Sequence, residues 1–92
     1  MFIFERMIKI NDNLHSRTAG NFVFAISGLK SDIFFEKDDR SINAKSILGI
    51  LSLSLRQYDT INVKVVNNNS TESAKEDLEK VVQIISDKIG VA

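Results

Sequence analysis

His15 is the only histidine in the chain, and Ser16 and Arg17 follow it directly in the stretch NLHSRTA at 13–19. The residues from Ser16 onward have helical apolar spacing, which places the imidazole at a helix mouth with a guanidinium two residues further on. At such a mouth the unpaired backbone amides and the positive end of the helix dipole converge, and both favour an anion. Arg17 can add charge-assisted hydrogen bonds of the kind that guanidinium groups make to phosphate oxygens. A neutral imidazole is a nucleophile near pH 7. Together these features describe a histidine suited to accept a phosphoryl group and hold it briefly. Taken singly, each residue has a plainer explanation: a surface or packing histidine, a solvated arginine.

Other chemistry is harder to find. The chain has no cysteine, which excludes disulfides, a thiolate nucleophile and thiolate metal sites. With one histidine, a zinc site would need carboxylates for every other ligand, so neither metal nor cofactor is expected. No nucleophile elbow is present, and no motif pairs His15 with a serine and a carboxylate, which argues against a hydrolase. Twelve basic and twelve acidic residues cancel, which argues against nucleic-acid binding through a general field. The opening MFIFERMIKI is too short and too soon charged for a signal peptide or a membrane span. The expectation is a soluble, cytoplasmic protein with no membrane insertion.

The elements that must position His15 follow from periodicity. Residues 2–10 are rich in Phe, Ile and Met and read as a strand, and NDN at 11–13 is turn chemistry. From Ser16 to Leu29, the spacing of Ala19, Phe22, Val23 and Ile26 gives one buried helical face, with Gly28 placed to end it. DIFFE at 32–36 and RSIN at 40–43 make a hairpin around Asp38 and Asp39. Ser46 caps a short helix, SILGILSL, that is apolar nearly all round. Ile50 and Leu53 can face a sheet while Ile47, Leu48 and Leu51 stay partly exposed, and Phe24 lies off the buried stripe of the first helix. These four form a candidate docking patch, unless loops or a second copy cover them.

TINVKVV at 60–66 alternates as a half-buried strand. A last helix follows, with Asn69 and Glu72 as a capping box and an apolar stripe of Ala74, Leu78, Val81, Val82 and Ile85. A favourable pair, Glu76 to Lys80, is expected on its outer side. The order βαββαβα, in one domain over 1–92 with no linker or repeat, implies an α+β fold: an antiparallel sheet covered on one side.

NLHSRTA at 13–19, INAKSILGILSL at 42–53 and this element order resemble HPr, the histidine-containing phosphocarrier of the bacterial sugar phosphotransferase system. The resemblance runs from about residue 3 to 86. It implies an open-faced β-sandwich, a four-stranded antiparallel sheet with three helices on one face. It also implies a phosphoryl carrier that is consumed and regenerated, rather than an enzyme. His15 matches the phosphorylated histidine and Arg17 the arginine that steadies the phosphoryl group. Ser46 matches a serine that an ATP-dependent kinase phosphorylates in many Gram-positive bacteria. Ile47, Leu48 and Leu51 match the patch that docks on enzyme I and on sugar-specific acceptor domains. The alternative that the resemblance leaves open is an HPr-like regulatory module. Such a module would be modified at Ser46 by a kinase/phosphorylase and read through the phosphorylated serine by a transcription regulator or an enzyme, though paralogues of that kind typically lack the histidine.

Where the family usually has glycine, alanine and proline, this chain has Asn13, Ser16 and Thr18. Asn13 is expected to tolerate a left-handed backbone. Thr18 is expected to lose the preset angle of proline, and Ser16 to add a hydroxyl beside the ring. Asp39, Ser54 and Tyr58 stand where the family has turn glycines.

Overall fold

Alternation along one strand organises the molecule. The computed structural model describes all residues, 1–92. In it β4, Thr60–Asn67, buries Ile61, Val63 and Val65 completely on one face, as period-two patterning requires. It lies inside a four-stranded sheet of order β1-β4-β2-β3, antiparallel throughout, in which β1 is Phe2–Lys9, β2 Asp32–Lys37 and β3 Arg40–Asn43. β4 pairs with β1 through Ile8↔Ile61 and with β2 through Ile33↔Val65 and Phe35↔Val63. That register puts Ile8, Ile33 and Phe35 on the same face as Ile61, Val63 and Val65. On the opposite face the Asn62 amide donates to Glu5 and Glu36 at 2.8 and 3.0 Å, and that solvent-facing side mixes these polar groups with exposed Ile3 and Met7.

Three helices cover the apolar face: α1 Ser16–Ile26, α2 Ile47–Ser52 and α3 Thr71–Lys88. α1 buries Ala19, Phe22 and Ile26, with Val23 half-buried beside them. The Phe22 ring meets that of Phe35 on β2 at 5.2 Å, tilted by 37°. Burial of one such ring contributes roughly 1.5–3 kcal/mol, so this pair helps fasten the helix that carries His15 to the sheet. α2 buries Ile50 and α3 buries Ala74, Leu78, Val81 and Ile85. One contiguous cluster of 19 buried apolar residues draws on every strand except β3. This is the open-faced α+β sandwich that the element order implies.

Several boundaries differ from expectation, each for a local reason. α1 stops at Ile26, because the Ser27 amide and hydroxyl both turn back to the Phe24 carbonyl. Gly28 has no positive φ and is not the cap. Ile10 leaves β1 to form an isolated bridge with Val91. α3 is capped by Ser70, whose Oγ accepts from the Ser73 amide at 3.1 Å, and not by Asn69. The Asn67 side chain sets that entry by accepting from the Asn69 and Ser70 amides. Glu76 and Lys80 form no ion pair; the i to i+4 contact on α3 is Gln83 to Asp87 at 3.0 Å. Ser54 and Tyr58 do take the left-handed conformation, at φ 51° and 73°. In the hairpin it is Asp38, at φ 55°, rather than Asp39.

Candidate functional site

His15 is the N-cap residue of α1, with extended backbone at φ −105° and ψ 175°. Its carbonyl accepts the first helical bond, from the Ala19 amide at 2.9 Å. Its side chain caps nothing. A helix leaves its first-turn amides without intrahelical partners, and here no cap from His15 covers those of Ser16, Arg17 and Thr18. The ring is solvent-exposed, and so are Ser16 and Arg17. Arg17 has no ion-pair partner within the chain, so its guanidinium is free to meet an external anion. Free amides and the positive dipole end therefore lie beside an accessible imidazole, with an unpaired cation two residues further along the helix.

The hydrogen bond the ring does make was not legible in the sequence. Thr18 Oγ1 lies 3.1 Å from His15 Nε2. Thr18 is the third residue of α1, where a side chain ordinarily reaches back to the N-cap amide. Here it reaches the N-cap side chain instead.

The loop before His15 is held by the loop 54–59. Leu14 N donates to the Leu55 carbonyl at 3.0 Å, Tyr58 N to the Ile10 carbonyl at 2.8 Å, and Ile10 N to the Asp59 carbonyl at 2.9 Å. Asn13 takes part through its side chain, Oδ1 accepting from the Gln57 amide at 2.8 Å. It does not have a positive φ, so the left-handed backbone expected at this position is absent. The loop 54–59 is itself tied to β2: Asp59 Oδ2 accepts from Lys37 Nζ at 3.0 Å and from the Arg56 amide at 2.9 Å. Those two contacts, the Arg56 amide first, hold the Asp59 carboxyl below its ordinary value of 3.8.

α2 begins where Ser46 Oγ accepts from the Gly49 amide at 3.0 Å, and Ser46 is half-buried. The cap is tight. A Cβ on Gly49 would lie 3.2 Å from the Asn43 carbonyl and 3.3 Å from Ser46 Oγ, so glycine admits the close approach. Leu48 is 79% exposed and Ile47 41%, while Leu51 is half-buried against the core. α1 and α2 pack side by side at Gly20, where a Cβ would lie 3.9 Å from Ile47 Cδ1. Phe24, four residues beyond Gly20 on the same helical face, is 83% exposed. Gly20 is five residues from His15, about 7.5 Å along the axis at 1.5 Å per residue. Ile47 therefore lies beside the part of α1 nearer His15, and Phe24 stands in the last turn of that helix.

The open-faced α+β sandwich, with an exposed imidazole at an uncapped helix mouth, is the architecture of a phosphocarrier class of protein. The family profile of the PTS HPr component phosphorylation site matches residues 4–86, and the chain belongs to the HPr family. It is 37% identical over 66 residues to the HPr-like protein Crh of Halalkalibacterium halodurans, covering 72% of this chain and 79% of that one. It is 33% identical to the phosphocarrier protein HPr of Buchnera aphidicola, covering 87% and 95%. The crystal structure of HPr from Bacillus anthracis superposes with a TM-score of 0.77 at 30% identity, covering 89% of this chain and 95% of that one. Proteins of this family are phosphocarriers, not enzymes. No helix of the chain is long and apolar enough to cross a membrane.

Proposed function

We propose that this protein relays phosphoryl groups in the cytoplasm, accepting from phosphorylated enzyme I on His15 and passing on to sugar-specific acceptor domains of the phosphotransferase system. The observation that carries this reading is the exposed His15 ring beside uncapped first-turn amides, with Arg17 unpaired. In this reading the protein supplies position and charge rather than bond-making machinery. The His15 lone pair forms the bond to phosphorus as the donor's bond breaks. Arg17 and the amides of Ser16, Arg17 and Thr18 meet the oxygens, whose charge is spread in a loose transition state. Ile47, Leu48, Leu51 and Phe24 provide the surface on which enzyme I and the acceptors dock. Ser46, at the edge of that surface, is the regulatory position.

The likeness to the Crh proteins favours a second reading, an HPr-like regulatory module controlled at Ser46 by a kinase and read by a transcription regulator. Retention of His15 together with Arg17 supports relay over it. Incubation with phosphoenolpyruvate and enzyme I separates the two. Relay requires acid-labile phosphate on the wild type and none on His15→Ala of unchanged fold. Absence of label on the wild type would leave the regulatory module.

A further inference from the structure

The Thr18–His15 contact at 3.1 Å is a bond between two side chains of one helical turn, at a site where each ring nitrogen has a different fate. Nε2 is engaged, and Nδ1 has no partner in the chain. We infer that Thr18 is a positioning residue for the phosphoryl acceptor: its oxygen accepts the Nε2–H of His15, holding the neutral ring as the tautomer with its lone pair on Nδ1. This rests on the relay reading and adds to it the residue that leaves Nδ1 as the nitrogen with a free lone pair to attack phosphorus.

The argument for the direction of this bond is electrostatic. A threonine hydroxyl can donate or accept, so distance alone leaves two tautomers. Nδ1 hangs from Cγ, as Oδ1 does in Asp and Asn, which are preferred N-cap residues because that atom meets first-turn amides as an acceptor. An electron-rich Nδ1 suits the positive helix end better than a protonated one. The proton therefore belongs on Nε2, where Thr18 Oγ1 receives it.

The same bond fits the product. When the Nδ1 lone pair bonds to phosphorus, the bond to the donor's leaving atom breaks and its electron pair departs with the donor. The Nε2 proton stays, so the ring becomes cationic. A cation on the ring is disfavoured by the helix end and by Arg17. An oxygen already accepting from Nε2–H offsets part of that cost, and a hydrogen bond to a charged donor is stronger than one to a neutral donor. Proline, usual at this position in the family, has no hydroxyl to offer. This chain gives up the preset φ of proline and gains a handle on the ring.

The test uses ring-15N-labelled full chain as wild type, Thr18→Val and Thr18→Ser. Two-bond proton–nitrogen correlations in neutral buffer report which nitrogen holds the proton. The wild type and Thr18→Ser should show a lone pair on Nδ1, and Thr18→Val should show a larger share of the other tautomer. Phosphorylation by enzyme I should slow roughly two- to tenfold in Thr18→Val, the effect of one neutral hydrogen bond, and recover in Thr18→Ser. The inference is overturned if the wild-type proton sits on Nδ1, or if Thr18→Val changes neither the tautomer nor the rate. A wild type that shows the tautomer and its Thr18 dependence but takes no phosphate would instead remove the relay reading and leave the hydrogen bond standing.

Discussion

Asn13 Oδ1 accepts from the Gln57 amide at 2.8 Å, across 44 residues of sequence, and so joins the loop that presents His15 to the loop 54–59. The position is held by a side-chain bond and not by a left-handed backbone. Asn13→Gly, which restores the residue usual in the family, is expected to destabilise the protein. One lost hydrogen bond costs about 0.5–1.5 kcal/mol, and the freedom of glycine adds roughly 0.5–1 kcal/mol. Both residues are exposed, so the lower half of the combined range is expected. Asn13→Ala isolates the bond. Urea unfolding of the two variants would measure each part, and an alanine variant as stable as the parent would show that the bond is inconsequential.

Asp59 secures the far side of the same loop pair and gives it an acid dependence. Its carboxyl is lowered by the Arg56 amide and by Lys37. The folded state therefore binds this proton less readily than the unfolded chain does. The resulting stability is present above the ordinary value of 3.8 and is lost as pH falls through the lower folded value. Asp59→Asn, which removes the charge, should be less stable than wild type at pH 7, with the gap closing below that range. Chemical denaturation at pH 7 and pH 3 tests this, and an equal gap at both would assign the loss to geometry rather than to charge.

What was legible in the sequence was local. The alternation in β4 and the exposed side of α2 follow from neighbours within a turn or a strand, and Ile61, Val63, Val65 and Ile50 are buried as their spacing requires. The unforeseen features depend on distant partners. Asp77 sits in α3 beside Leu78 and reads as a solvated charge. It is buried because the Ser31 amide and hydroxyl, 46 residues away, donate to it at 3.2 and 2.6 Å. Asn67 completes that cluster by donating to Ser31 Oγ at 3.0 Å. In the hairpin, two adjacent aspartates offer the same chemistry, so nothing local assigns the left-handed residue to Asp38 over Asp39. At the site, the positions of His15 and Arg17 at the helix start could be read. The use of the Thr18 hydroxyl could not, because a threonine in a first turn has several equivalent partners.

Arg17 should matter to transfer and hardly at all to folding. It forms no ion pair that its removal would break. Arg17→Ala takes away a charge-assisted contact of about 1.5–3 kcal/mol, roughly ten- to more than a hundredfold in rate if it is made only in the transition state. The melting temperature should stay within a degree or two. An unchanged rate of phosphorylation by enzyme I would reduce Arg17 to a solvated charge.

Leu48 tests the patch independently of the chemistry. At 79% exposure, a polar replacement removes little buried area. Leu48→Asp should therefore unfold at nearly the wild-type temperature while binding enzyme I more weakly, because a carboxylate must then be desolvated against an apolar partner. Titration calorimetry alongside thermal denaturation measures both. A large drop in stability with intact binding would make Leu48 a packing residue.

Ser46 separates a cap from a switch. Its hydroxyl accepts from the Gly49 amide at 3.0 Å, at the start of a helix only six residues long. Ser46→Ala should cost about 0.5–2 kcal/mol, the usual loss at an N-cap. Ser46→Asp offers a carboxylate oxygen to the same amide, and negative charge is favoured at a helix start, so its stability should equal or slightly exceed that of wild type. The same charge would stand next to Ile47 and Leu48, which are 41% and 79% exposed in the proposed docking patch. Desolvating it against a partner should slow transfer from enzyme I to His15 in a protein no less stable than the parent. A phosphate, carrying about −1.5 to −2 charges at neutral pH, should slow transfer further than the aspartate does. Stability by denaturation and the initial rate of His15 phosphorylation, measured on the same preparations, decide the matter. If Ser46→Asp lowers stability while transfer is untouched, the serine is a cap and nothing more.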